Sequence, residues 1–147
     1  MTKDIEIGLG LPFEIAEEMK KKYGTVLPVD DGKPNDDFIE QNGHKIPYAR
    51  LCEIIRDRME ELLRLIIIEL PESERSTLVP GGLVLTGGSS NLVGIASLGK
   101  QVLKMPVRIG MPQHICGLID QLNDPAFATA IGLLLWGTKP KSNVRLN

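Results

Sequence analysis

The chain has 147 residues, a formal net charge of −2, 42% hydrophobic and 24% charged residues. That suits one globular domain with a core of its own. It offers no strong field for nucleic acid or acidic lipid, too few aromatics (three Phe, two Tyr, one Trp) for a base-stacking platform, and two cysteines and two histidines without metal-ligand spacing.

Met1-Thr2-Lys3-Asp4 leads into no apolar segment, so no signal peptide is expected. Residues 3–11 carry Ile5, Ile7, Leu9 and Leu11 around Gly8 and Gly10, a pattern that suits either a strand or a short helix capped by Asp4. Pro12 fits the first turn of a helix over Phe13–Tyr23, with Lys20, Lys21 and Lys22 in its last turn and Gly24 at the C-cap position. Thr25–Val29 reads as a short strand, and residues 30–37 as a polar turn. Phe38-Ile39-Glu40 and Lys45-Ile46 flank Gln41-Asn42-Gly43-His44, and Asn-Gly there signals a hairpin with His44 as an exposed turn residue.

A long helix is expected from about Ala49 to Leu70. Leu51, Ile55, Met59, Leu62, Leu63, Ile66, Ile67 and Leu70 form its apolar stripe, and Arg50, Glu53, Arg56, Asp57, Glu60 and Glu61 lie mainly off it. Leu65 to Ile68, the longest apolar run, is too short to span a bilayer. Residues 71–76 read as an exposed linker. Cys52 and Cys116 read as buried thiols of a reducing cytoplasm.

The chain is organised around residues 81–95. Leu83-Val84-Leu85 suits a strand buried on both faces. Gly87-Gly88 permits a tight turn and close approach of another group, Ser89, Ser90 and Asn91 are N-cap residues, and a helix is expected from Leu92 to about Leu103. Such a strand, turn and helix start would aim unpaired N–H groups at whatever lies above the turn. It is neither a Walker loop nor Gly-x-Gly-x-x-Gly, and by itself it serves equally as a plain strand-to-helix turn. A second strand follows at 106–110, then an irregular stretch over 111–123. Asp124-Pro125 opens a last helix, Ala126 to Trp136, whose Ala126, Ala128, Ala130 and Gly132 would permit close packing.

Four stretches carry a resemblance that covers about Thr2 to Gly137. They are Thr2-Lys3-Asp4-Ile5-Glu6-Ile7-Gly8-Leu9; Ala16-Glu17-Glu18-Met19-Lys20-Lys21-Lys22-Tyr23-Gly24; the strand and glycine turn; and Val107-Arg108-Ile109-Gly110-Met111-Pro112 with Gly117-Leu118-Ile119-Asp120, Pro125 and Ala128–Leu134. They are similar to the C-terminal part of bacterial actin-like ATPases, and within these to the FtsA family. The resemblance implies an α/β fold, the second lobe of an actin-like (ribonuclease H-like) ATPase. Residues 1–24 and 78–138 would be a partial subdomain 2A, residues 25–77 an inserted subdomain 2B, and residues 139–147 a polar tail. The family's first lobe, its phosphate loops and metal-site acid, and its amphipathic membrane helix have no match here, so the chain reads as a cut-out of the longer protein.

The same resemblance implies a function: part of an ATP-binding cell-division scaffold that tethers the FtsZ ring to the membrane. Glu17 and Lys20, which share a helix face, would meet the ribose. Gly87 and Gly88 would lie under the nucleoside and α-phosphate, with Ser89 and Ser90 as donors, although the family more often has glycine or alanine at Ser89. Magnesium would be held by residues outside this stretch, and no catalytic or metal ligand is assigned here. The family has at most weak ATPase activity, and this stretch alone is expected to be inactive. Arg58, supported by Arg50 and Arg56, would take the acidic FtsZ C-terminal tail, with Asp57 standing where the family usually has proline. Self-association into filaments, a cytoplasmic location at the inner membrane face, and membrane contact only through the unmatched helix complete the picture. The alternative is the C-terminal half of another actin-fold protein, an MreB-like filament protein or a sugar or acetate kinase. A kinase should bring a substrate acid or base from this half, and no His or Asp is placed for that.

Overall fold

The computed structural model describes residues 1–28, 38–69, 81–113 and 122–138. The expected turn at 30–37, the linker at 71–76, Cys116, Gly117–Asp120 and the tail from 139 lie outside the described residues. The fold is α/β and divides into two compact units: Met1–Leu83 with Leu92–Arg108, and Val84–Asn91 with the chain from Ile109 onward.

In the first unit, α1 (Thr2–Leu9) settles the strand-or-helix alternative. Ile5 is fully buried while Ile7 is open to solvent, so the apolar residues do not share a strand face. α2 (Phe13–Tyr23) has the expected bounds, and the Gly24 N–H closes it onto Lys20 O. Of the expected strand at Thr25–Val29, Val29 lies outside the described residues, and residues 25–28 show a parallel bridge between Thr25 and Val93, with Val26 N donating to Val93 O at 3.0 Å. The hairpin of β1 (Phe38–Gln41) and β2 (His44–Pro47) is antiparallel, with Ile39 opposite Ile46. Its turn is only Asn42-Gly43, so His44 is a strand residue paired with Gln41 and half-buried.

α3 (Tyr48–Glu69) packs on α1, on α2 and on α4 (Ile95–Leu103). Leu51, Cys52, Ile55, Met59 and Leu63 form its buried side, but Leu62 of the expected stripe is exposed. At 100° per residue Leu62 falls between Leu51 and Ile55, so helix phase does not account for its exposure, and Cys52 joins the buried side between Met59 and Leu63. Burial raises the Cys52 thiol above its usual range, as expected of an inert core cysteine. The described residues of 25–77 thus lie in one unit with α1, α2 and α4.

The organising turn differs from expectation in its helix start. Gly88–Asn91 forms a short 3₁₀ turn, Val93 makes the bridge to Thr25, and α4 begins only at Ile95 with Gly94 as N-cap. Ser89, Ser90 and Asn91 therefore cap no α-helix. Pairing with Thr25 holds Val93 extended and delays the helix by one turn.

β3 (Leu83–Leu85) and β4 (Val107–Ile109) pair in a two-stranded sheet. Leu83 N donates to Pro106 O and Gly110 N to Leu85 O, so the pairing advances along both strands together. β3 is not buried on both faces. Val84 is 42% exposed in this two-stranded sheet.

In the second unit, Asp124 accepts from Ala126 N at 2.7 Å and caps a 3₁₀ turn, Pro125–Phe127, that runs into α5 (Ala128–Thr138). Close packing through its small residues is not seen: Ala126, Ala130 and Gly132 are exposed, and only Ile131 of the helix is buried. Leu134 is 70% and Trp136 74% exposed. The helix is apolar on all sides, so no one face is singled out for the core. Among the described residues, no helix is long and apolar enough to cross a membrane.

Candidate functional site

Glu17 and Lys20 lie one turn apart on α2, and Lys20 Nζ donates to Glu17 Oε2 at 2.6 Å. Thr2 of α1 joins them. Its hydroxyl donates to the same carboxylate oxygen at 2.5 Å and accepts from Lys20 Nζ at 2.9 Å. Lys21 Nζ stands 3.3 Å from the other oxygen, Oε1. The Lys20 and Thr2 hydrogen bonds outweigh desolvation and hold the Glu17 carboxyl down at about 2. Glu17 is therefore an ionised acceptor at neutral pH. Lys20 keeps one of three N–H donors unused by these bonds, and both side chains remain partly open to solvent. A carboxylate oxygen beside an ammonium donor suits a ligand with adjacent hydroxyls.

This depressed acid makes stability depend on pH with a definite sign. Above the ordinary carboxyl value of 4.5 the ionised Glu17 contributes its full share, and the share is lost as pH falls toward about 2. Because the pair is part-solvated, the contribution is about 1 kcal/mol. Denaturant unfolding at stepped pH should show wild type losing about 1 kcal/mol more than Glu17→Gln between about pH 5 and about pH 2. Equal losses in the two proteins would contradict the assignment.

The glycine turn is pinned by the segment before α5. Gly87 takes φ +89° and donates its N–H to Pro125 O at 2.9 Å. Asn91 Nδ2 donates to Asp124 Oδ1 at 2.9 Å. Ser90 turns inward, is buried, and gives its hydroxyl to Gly87 O at 2.7 Å, so it braces the turn rather than offering a free donor. The N–H groups of Gly88 and Ser89 have no hydrogen-bond partner among the described residues. A Cβ built on Gly88 would meet nothing within 4 Å, and its φ is not positive. Gly88 thus supplies access rather than an unusual backbone conformation. Glu17 and Lys20 belong to the first unit and Gly87–Ser90 to the second.

The three arginines are not presented alike. Arg56 is committed inward, donating from Nη1 to Val26 O at 3.1 Å and from Nε to Glu60 at 3.2 Å. Arg50 pairs with Glu53 at 2.6 Å on the exposed side. Arg58 bonds Glu61 at 2.6 Å and lies 3.6 Å from Asp4 of α1. These two acids raise its pKa, and its Nε is buried with no hydrogen-bond partner among the described residues. Among the described residues no group of three or more His, Cys, Asp or Glu could hold a metal ion.

Sequence reasoning missed Thr2 and the Asn91–Asp124 link. Thr2 was legible as part of the Thr-x-Asp-Ile pattern, but only the packing of α1 on α2 brings its hydroxyl to Glu17. No local signal joins residues 91 and 124.

The sequence profile of the family described as "Cell division protein FtsA" matches residues 1–132. The chain belongs to the FtsA family. The cell division protein FtsA of Pseudomonas aeruginosa is 34% identical over 97% of this chain and 35% of its own length. That of Escherichia coli is 34% identical over 97% of this chain and 37% of its own, and that of Rhizobium meliloti 35% identical over 92% and 32%. The chain thus spans about a third of the length of these relatives. The FtsA family is actin-like and ATP-binding, in keeping with the α/β fold seen here. The match does not favour the alternative of an MreB-like protein or a sugar or acetate kinase.

Proposed function

We propose that this chain supplies part of the second lobe of an actin-like, ATP-binding scaffold that works in cell division by linking the FtsZ ring to the membrane. The family match over residues 1–132 carries the reading. In it, residues 1–24 and 78–138 contribute to subdomain 2A and residues 25–77 are the inserted 2B. The setting is the cytoplasmic face of the membrane, with membrane contact and filament formation belonging to the longer family protein.

Each unit, taken by itself, offers groups of the kind a nucleotide uses. Glu17 and Lys20 offer an acceptor and a donor for ribose hydroxyls, and the open Gly88–Ser89 turn offers two unbonded N–H groups where a ligand can come against the backbone. Gly87 and Ser90 hold that turn in shape. ATP, when bound, supplies the negative charge those N–H groups face.

For the partner, Arg58 is the proposed anchor, with Arg50 nearby in sequence on the same helix and Arg56 reassigned to holding Val26. An acidic peptide that offers Arg58 two parallel bonds can replace the exposed Glu61. Fluorescence anisotropy with a labelled FtsZ tail peptide tests this. Binding is expected on the order of micromolar to tens of micromolar, weaker at high salt, and at least ~10-fold weaker in Arg58→Glu. No binding to the wild-type chain would remove the partner, and binding unchanged by Arg58→Glu would move the anchor elsewhere.

A further inference from the structure

Thr2 bonds both Glu17 and Lys20, and the function proposed above gives it no role toward a ligand. A Glu–Lys pair three residues apart on a helix surface is weak and mobile by itself, since two long side chains must be held in one geometry. Here a third group from another helix closes the pair into a ring in which Thr2 Oγ1, Glu17 Oε2 and Lys20 Nζ all lie within 2.9 Å of one another. A hydroxyl can donate to a carboxylate and accept from an ammonium at once, which no methyl or ammonium group can do. Thr2 is itself fixed, because Ile5, one turn further along α1, is fully buried. Oε2 takes both bonds of the ring, and among the described residues Oε1 has only the solvent-exposed Lys21 near it.

We propose that Thr2 is a positioning residue for nucleoside recognition: its hydroxyl fixes Glu17 and Lys20 so that Oε1 and the unused Lys20 N–H meet the two adjacent hydroxyls of a ribose, and it thereby sets a preference for ribonucleotides over 2′-deoxyribonucleotides. This rests on the nucleotide reading above. A site built to bond a hydroxyl discriminates against the analogue that lacks it only while its own polar groups are held in place.

The test is an NMR titration of the chain with ATP and with 2′-deoxy-ATP, read at the side-chain signals of Glu17 and Lys20. Wild type, Thr2→Val, Thr2→Ala, Thr2→Ser and Glu17→Gln are compared. Wild type should prefer ATP by ~10-fold, Thr2→Val and Thr2→Ala by less than ~3-fold, and Thr2→Ser should recover the wild-type ratio. Loss of overall fold would lower binding of both nucleotides alike and would not be rescued selectively. A wild type that binds neither nucleotide, or binds both equally, removes the ribose assignment at Glu17 and this proposal with it. If Glu17→Gln loses the preference while Thr2→Val and Thr2→Ala keep it, the ribose assignment stands and the role of Thr2 is overturned. Failure of Thr2→Ser to restore the ratio also overturns it, because the hydroxyl is then not the cause.

Discussion

Gly82→Ala is expected to destabilise the chain by ~3–5 kcal/mol, enough to unfold a marginal domain. Two independent costs meet at this position. Gly82 has φ +62°, where a residue with a Cβ is strained by about 1–2 kcal/mol. An added Cβ would also press on the carbonyl oxygen of Pro106 and stand 2.8 Å from Pro106 Cβ. That same oxygen accepts the Leu83 N–H at 2.8 Å, so relieving the clash means separating the start of β3 from the residue that leads into β4. The neighbour is backbone and cannot swing aside as a flexible side chain would. Gly81→Ala is the control, since an added Cβ there meets nothing within 4 Å and its φ is not positive. Denaturant unfolding of both variants should show a loss of ~3 kcal/mol or more for Gly82→Ala and less than ~1 kcal/mol for Gly81→Ala.

Gly88→Asp should behave in the opposite way, leaving the fold intact and abolishing nucleotide binding. Its Cβ would enter open space, and the glycine needs no positive φ, so the stability change should stay within ~0.5 kcal/mol. The same open space is where the proposal puts a ligand against the Gly88 and Ser89 N–H groups. A carboxylate there both fills the space and repels phosphate, which should lower ATP affinity by ~100-fold or more. Gly87→Asp would not make this distinction, because φ +89° strains any side chain at that position.

Much of the fold was legible in local chemistry. Pro12 and Gly24 mark the ends of α2, Asn42-Gly43 marks the hairpin, and the spacing of Leu51, Ile55, Met59 and Leu63 marks the buried side of α3. What local chemistry cannot show is set by partners distant in sequence. Val93 is extended because it pairs with Thr25, and this moves the start of α4 from Leu92 to Ile95. Ser90 has the composition of an N-cap but bonds Gly87 O, because the turn beneath it is pinned by Pro125. Val84 sits in an apolar run and is still exposed, and burial depends on how many layers cover a sheet rather than on the strand itself.

The site shows the same division. Glu17 and Lys20 could be paired from their spacing alone, and they meet as expected. Thr2 could not, because the packing of α1 against α2 sets its position. Arg50, Arg56 and Arg58 read as one charged set, yet eight residues of helix turn them to different surroundings. Arg56 faces Val26, and Arg58 faces Asp4 of α1.

The most direct test of the central claim, that the glycine turn of this FtsA-family chain meets a nucleotide, is an ATP titration followed at the backbone amides of Gly88 and Ser89. With few of the contacts a whole family protein would make, affinity is expected on the order of millimolar. Those two amide signals should move with saturation in wild type and stay still in a folded Gly88→Asp variant. Amides of Gly88 and Ser89 that remain unmoved in wild type at ~10 mM ATP would contradict the account.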